Sequence, residues 1–150
     1  MSPSTLEQET RLQLIQQLVY FDEEKLHFLD RYYPEQDQKR RMVEKAIEEY
    51  AAFLNGILEK SGGETLHSVA LIGSQVELRY LDDGSTESYT IVFPEEADPA
   101  KGRVSFLSPV GFQLLMARRS DVLQLALPFG ETSVQVEKVE FARHVTVSEE

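Results

Sequence analysis

The sequence changes its pattern near residue 61, and this change limits the folds that are open to the chain. From about residue 4 to residue 60, glycine is almost absent and apolar residues recur at steps of three and four, as in paired helices. From about residue 66 onward, short runs of β-forming residues are separated by turn residues. The pattern therefore predicts an α+β protein, with a helical hairpin at residues 1–63 and a β-rich domain at residues 64–150.

The apolar positions predict which faces of the two helices meet. In the first helix the predicted stripe is interrupted only by Asp22, and it consists of Leu12, Ile15, Val19, Leu26, Leu29 and Tyr33. In the second helix the spacing is unbroken, and the stripe consists of Val43, Ile47, Tyr50, Leu54 and Ile57. Because proline disfavours a helical conformation in the residue before it, Pro34 predicts the tip of an antiparallel hairpin near residues 31–38. A first helix that is divided at Asp22, with this residue as an N-cap, is the alternative.

The β-rich domain is predicted to form a small antiparallel sheet with one short helix. The predicted strands lie near residues 76–81, 89–93, 104–107, 122–127 and 134–141. Ser108 followed by Pro109 predicts the start of the helix, because serine caps a helix and proline is favoured at its first position. The predicted helix ends at about Met116.

The charge of the chain restricts the class of partner. The sequence has 26 acidic and 15 basic residues, a formal net charge of -11, and no cysteine. Such a chain is a poor candidate for binding duplex nucleic acid over a broad surface, and it is better suited to a basic protein surface. Neither a secretory signal nor an apolar run of the roughly 18 residues that span a bilayer is visible. We expect a cytoplasmic protein without membrane contact.

Several segments of the second half resemble the bacterial Gre transcription elongation factors. Residues 102–115 have the family's order of a glycine, a short strand, a serine-proline helix start and a run of small and apolar residues. Residues 73–78 and 89–92 resemble the family's first long strands, and residues 128–131 resemble its last hairpin turn. The resemblance covers roughly residues 66–141, and a preceding helical hairpin fits the same architecture.

The resemblance implies a two-part accessory factor rather than an enzyme. In Gre factors an FKBP-like C-terminal domain docks on RNA polymerase at the rim of its secondary channel, and a coiled-coil finger enters that channel. Acidic residues at the finger tip help to hold Mg²⁺ in the polymerase active site and promote cleavage of backtracked RNA. The resemblance thus implies no cofactor or metal site of the chain's own, and contact with DNA or RNA only within the polymerase complex. The polymerase-docking residues that it implies are Ser108, Pro109, Val110 and Phe112. Arg118 and Arg119, which we expect to be exposed, are further candidates for the docking face.

The predicted finger tip departs from the family pattern. The family's acidic motif is absent from a somewhat shorter finger, and Asp30, Glu35 and Asp37 lie around Pro34 instead. These carboxylates are candidates for assisting a magnesium ion, or they are part of an ordinary solvated loop. Lys39, Arg40 and Arg41 follow the tip, and they are candidates either for contacting phosphates or for ion pairs along the helix.

A second departure lies after the docking helix. The family has one glycine where this helix ends and another in the following turn, whereas residues 116–121 contain none. Because glycine adopts left-handed conformations most readily, a different loop conformation is predicted here.

More than one function is consistent with this sequence. A polymerase-binding elongation factor is the leading prediction, and the missing tip motif favours a form that does not stimulate cleavage. The alternatives are an FKBP-type prolyl isomerase and an interaction module whose partner is not polymerase; the chain has no tryptophan for the floor of an isomerase pocket. His27, His67 and His144 are too scattered for a zinc site. The sequence leaves the oligomeric state open.

Overall fold

A computed structural model describes residues 5–60 and 68–141 of the chain, with side chains described from residue 8 to 59 and from 68 to 141. The chain divides into two compact units, Met1–Gly62 and Gly63–Glu150. The first is helical and the second is built on a β-sheet. Within the described residues, no helix is both long enough and apolar enough to cross a membrane.

The first unit is an antiparallel helical hairpin. Helix α1 spans Thr5–Tyr32 and helix α2 spans Gln38–Lys60. Gln17 near the middle of α1 contacts Tyr50 near the middle of α2, whereas Asp30 at the end of α1 contacts Arg40 at the start of α2. Helix α1 runs without interruption through Asp22, so the divided first helix is wrong.

The predicted apolar stripe is confirmed in α2 and is largely wrong in α1. All five predicted residues of α2 are buried. In α1, four of the predicted residues are exposed, Leu12 by 54%, Ile15 by 39%, Val19 by 47% and Leu26 by 62%. The buried side of α1 instead contains Thr10, Leu14, Gln17, Phe21, Phe28 and Leu29.

Two apolar stripes on nearly opposite sides of α1 explain this difference. Both stripes have helical spacing, and α2 covers only one of them. The covered stripe contains Phe21 and Phe28, whose rings remove more apolar surface from water than aliphatic side chains do. Phe21 also packs edge-to-face against Tyr50, with ring centroids 6.1 Å apart, and the Tyr50 hydroxyl donates a 2.7 Å hydrogen bond to Gln17 Oε1.

The second unit is a five-stranded mixed sheet with one short helix. The strands are β1 (Ser74–Tyr80), β2 (Thr86–Val92), β3 (Arg103–Ser105), β4 (Val122–Leu127) and β5 (Gly130–Phe141), and their order in the sheet is β3-β2-β1-β5-β4. Helix α3 spans Pro109–Leu114 and packs against β4. The α+β class is as predicted, and three of the four strand pairs are antiparallel.

Strand β3 is the exception to the predicted antiparallel sheet, because it pairs with β2 in parallel. Two 3-10 turns, Pro94–Glu96 and Pro99–Lys101, lie in the connection between these strands. They return the chain to the second half of β2, where Thr90 pairs with Arg103. The chain therefore enters α3 directly from the edge of the sheet.

Candidate functional site

The start of helix α3 is held in place by its own side chains and backbone. Ser108 has the extended backbone of an N-cap, and its Oγ accepts a 3.1 Å hydrogen bond from the Gly111 amide. The same hydroxyl donates a 2.7 Å hydrogen bond to the carbonyl oxygen of Ser105. A Cβ atom at Gly111 would overlap this carbonyl, so only glycine lets the helix approach β3 so closely. The sequence-predicted helix start is confirmed, although the helix ends at Leu114 rather than near Met116.

Gln113 fixes the outer side of α3 to the sheet. Its side-chain Oε1 accepts a 2.8 Å hydrogen bond from the amide of Ala126 in β4. Its Nε2 donates to the carbonyl oxygens of Ala126, at 3.0 Å, and of Pro109, at 2.8 Å. Because β4 is an edge strand, these bonds satisfy backbone groups that have no neighbouring strand. The function of Gln113 is not predictable from the sequence, since a glutamine within a helix gives no signal about a strand residue that lies thirteen positions away.

The residues predicted to dock differ in how far they face solvent. Pro109 is exposed, whereas Ser108, Val110 and Phe112 are half-buried. These four residues follow one another along the start of α3 and form what we call the α3 surface. It combines a rigid backbone with partly accessible apolar side chains, which is suited to contact with another protein.

Arg118 and Arg119 lie apart from the α3 surface. Both are exposed, in the loop that leads into β4. The Arg118 amide donates to Asp121 Oδ2 at 2.9 Å, and the Arg119 amide donates to the Ser68 carbonyl at 2.7 Å. This loop enters β4 at Val122. Ala126, the residue of β4 that binds Gln113, follows four residues later, which is about 13 Å along an extended strand. The structure therefore does not bring the two arginines to the helix start.

The same loop has left-handed backbone without glycine. Met116 has a φ of 68° and Ser120 a φ of 78°, a conformation that side chains other than glycine rarely adopt. Backbone hydrogen bonds hold both residues, from Met116 to the Ala70 carbonyl at 2.7 Å and from Ser120 to the Val136 carbonyl at 2.8 Å. A conformation different from that of the family stays a prediction.

At the hairpin tip, two of the three acidic candidates bind groups of the tip itself. Asp37 Oδ1 accepts a 3.0 Å hydrogen bond from the Arg40 amide, which makes Asp37 the cap of α2. Asp30 Oδ1 accepts a 2.9 Å hydrogen bond from the Arg40 guanidinium. Glu35 is exposed in the connection between the helices. No group of three histidine, aspartate or glutamate residues that could hold a metal ion occurs in the part of the chain that the structure describes.

The predicted basic patch needs a correction at Arg40. Its residue surface is only 7% exposed, and its guanidinium donates to the Tyr33 carbonyl at 3.0 Å as well as to Asp30. Arg40 therefore holds the tip together and is not presented to a phosphate, whereas Lys39 and Arg41 are exposed. On α1, Nδ1 of His27 lies 3.1 Å from Oε1 of Glu24. His67 and His144 lie outside the described residues.

The pKa values of Lys25 and Tyr80 are shifted by contacts that lie outside these surfaces. The hydrogen bond from Lys25 to Glu48, 2.7 Å long, raises the pKa of the Lys25 ammonium and joins the two helices. Burial, together with a 2.6 Å hydrogen bond to Glu87, raises the pKa of the Tyr80 hydroxyl. Neither shift marks a catalytic group, because each follows from packing or pairing within its own unit.

Comparison with known proteins decides the family. Residues 65–141 match the family model described as the C-terminal domain of the transcription elongation factors GreA and GreB. The chain belongs to the GreA/GreB family. The resemblance that the sequence predicted is thereby confirmed, and it covers the whole described sheet together with α3.

Named relatives match only part of their own length. The transcription elongation factor GreA of Desulfovibrio desulfuricans is 41% identical over 71 residues, which are 47% of this chain and 44% of that protein. GreA of Helicobacter acinonychis is 32% identical over 99 residues, 66% of this chain and 60% of that protein. The chain thus spans about half the length of the GreA/GreB relatives that it matches.

Solved structures with GreA-related names also align with this chain. GreA factor homolog 1 of Thermus thermophilus aligns over 90% of this chain and 88% of its own, with 26% identity and a TM-score of 0.46. A GreA/GreB factor from Nitrosomonas europaea aligns over 67% of this chain and 90% of its own, with 21% identity and a TM-score of 0.47.

Proposed function

We propose that this GreA/GreB family member binds RNA polymerase through the α3 surface and modulates elongation as an accessory factor in the cytoplasm. Membership of the family supports this function. The observation that carries the proposal is the fixed start of α3, where Ser108, Gly111 and Gln113 hold the backbone while Pro109 stays exposed. A preorganised surface of this kind loses little conformational entropy when a partner binds.

In this proposal the arginine pair is a second, separate contact. Arg118 and Arg119 are exposed cations in an otherwise acidic chain, and they lie at the opposite end of β4 from the Gln113 contact. Cations at the rim of an interface mainly affect the association rate and its dependence on salt. We expect loss of both charges to slow binding to polymerase at low salt and to leave the dissociation rate nearly unchanged.

We further propose that the helical hairpin acts in the secondary channel without stimulating transcript cleavage. Asp37 caps α2 and Asp30 pairs with Arg40, so both carboxylates already have partners within the tip. Each of these contacts engages one carboxylate oxygen, Oδ1, and holds the side chain toward the tip, so the carboxylate is less free to reorient toward a magnesium ion shared with the polymerase. Any contact with RNA or DNA then takes place within the polymerase complex.

Direct binding tests the first part of the proposal. Labelled protein is titrated with purified core RNA polymerase, and Val110→Glu is compared with Leu81→Glu. Both positions carry partly exposed apolar side chains, but Leu81 follows β1 and belongs to neither α3 nor β4. We expect Val110→Glu to weaken binding at least tenfold and Leu81→Glu to leave it unchanged. Failure of the wild-type protein to bind core polymerase would contradict the proposal.

A backtracked elongation complex tests the second part. We expect the wild-type protein to leave the rate of RNA shortening at its intrinsic value. If shortening is accelerated, and replacement of Asp30, Glu35 and Asp37 by alanine removes the acceleration, the non-cleaving function is wrong.

A further inference from the structure

The turn between β4 and β5 presents an aromatic side chain to solvent. Leu127 and Gly130 form the last pair of the ladder, so Pro128 and Phe129 are the two residues of the turn. Phe129 is 84% exposed, more than any other large apolar residue among the described parts of the chain. Single exposed apolar residues are common on protein surfaces, so exposure alone does not indicate a function. The surroundings of Phe129 provide further evidence.

The turn and the α3 surface are parts of one rigid frame. Gln113 Nε2 lies 3.0 Å from the Ala126 carbonyl oxygen and 2.8 Å from that of Pro109. The two oxygens are therefore less than about 6 Å apart, since each lies within hydrogen-bond reach of the same nitrogen. Phe129 follows Ala126 by three residues, about 10 Å of extended chain. One partner that covers Pro109 is thus within reach of Phe129.

The charge around the turn favours a particular kind of partner. From residue 122 to residue 136, Glu131 is the only charged residue of the hairpin sequence. Glu131 is exposed and lies opposite Ala126 in the ladder, close to Phe129. An apolar pocket with a cationic rim would complement both the ring and this carboxylate.

We propose that Phe129 is an aromatic anchor that inserts into an apolar, basic-rimmed pocket on RNA polymerase, beside the contact made by the α3 surface. This inference rests on the proposed function and extends its site. Phenylalanine has only two side-chain torsions, so a rigid hairpin presents it at low entropic cost. Aromatic residues that fill pockets contribute a large share of the affinity of many interfaces.

Equilibrium binding to purified core RNA polymerase, at two salt concentrations, tests this inference. Phe129→Ala retains the turn residues Pro128 and Gly130 and removes only the ring. We expect it to weaken binding by about ten- to thirtyfold at both salt concentrations. Glu131→Gln should weaken binding about two- to threefold at low salt and reduce the salt dependence. Leu81→Ala removes another exposed apolar side chain, one that belongs neither to α3 nor to the β4–β5 turn, and is the matched control with unchanged affinity.

The outcomes separate the two proposals. If the wild-type protein and Phe129→Ala bind core polymerase equally well, Phe129 is not an anchor, while the proposed function stands. If the wild-type protein does not bind, both proposals are overturned. Sedimentation equilibrium tests whether a second copy of this chain covers Phe129 instead. If the wild-type protein is a dimer that Phe129→Ala converts to a monomer, and polymerase binding is unchanged, the ring serves self-association and the inference is overturned.

Discussion

The hairpin tip and the start of α3 use polar side chains for the same purpose but present different surfaces. At the tip, Asp37 and Arg40 fix the backbone with charged side chains that are themselves bound within the chain. At α3, Ser108 and Gln113 fix the backbone and leave apolar groups accessible. Charged residues near a predicted tip are therefore weak indicators of a binding site. The aspartates and arginines that cap a helix or pair two helices are the same residue types that would bind a metal ion or a phosphate.

Substitution of leucines on the two sides of α1 tests which stripe holds the hairpin. We expect Leu14→Ala to lower the free energy of unfolding of the helical unit by about 3 kcal/mol, because it removes a buried side chain and leaves a cavity. Leu12→Ala, at a position that is 54% exposed, is the matched control, with a loss below about 1 kcal/mol. Urea unfolding followed by circular dichroism at 222 nm measures both, and equal losses would contradict the described packing of α1.

A pair of glycine substitutions separates the docking helix from the hairpin. Gly111→Ala places a Cβ against the Ser105 carbonyl, so we expect a loss of about 2–3 kcal/mol in the sheet unit together with weaker polymerase binding. Gly56 lies within α2, where an added Cβ meets no atom within 4 Å. Gly56→Ala should therefore stabilise the hairpin by about 1 kcal/mol. Hydrogen exchange resolves the two units, and a neutral Gly111→Ala would show that α3 does not need its close approach to β3.

Arginine substitutions test whether the tip charges are structural. Arg40→Ala removes hydrogen bonds to Asp30 and to the Tyr33 carbonyl, along with a buried aliphatic stem. We expect a loss of about 2 kcal/mol, less than for a buried ion pair, because the Asp30 side chain is 65% exposed and regains water. Arg41→Ala is the exposed neighbour and should change stability by less than about 0.5 kcal/mol. Thermal unfolding measures the stability of both variants. Similar melting temperatures would mean that Arg40 does not stabilise the tip and is again a candidate for contacting phosphates.

The smallest expected effect concerns the loop that joins α3 to β4. Ser120 is exposed and has a positive φ, so the difference between glycine and alanine at this position reports backbone strain with little change in packing. We expect Ser120→Gly to be more stable than Ser120→Ala by roughly 1 kcal/mol. Chemical unfolding of the two variants measures this difference. Equal stability would mean that the loop does not keep the left-handed conformation in solution.

Sequence patterns predicted the elements of the fold better than their faces. The α2 stripe follows from spacing alone, because that helix has one apolar side. Helix α1 has two, and spacing alone does not distinguish the stripe with Phe21 from the stripe with Val19. The parallel pairing of β3 also lies beyond local pattern, since a three-residue strand has too few side chains to indicate its direction.

The α+β order, the hairpin tip, the start of α3 and the family could all be predicted from the sequence, because each depends on residues that are close together in the chain. The contacts of individual side chains could not: Arg40 is turned into the tip, Gln113 is bound to a distant strand, and Phe129 is left in solvent near Pro109. The physical reason is that burial and hydrogen-bond partners come from segments far apart in the chain. Local spacing predicts that a residue lies in a helix or a turn, but packing determines what it contacts.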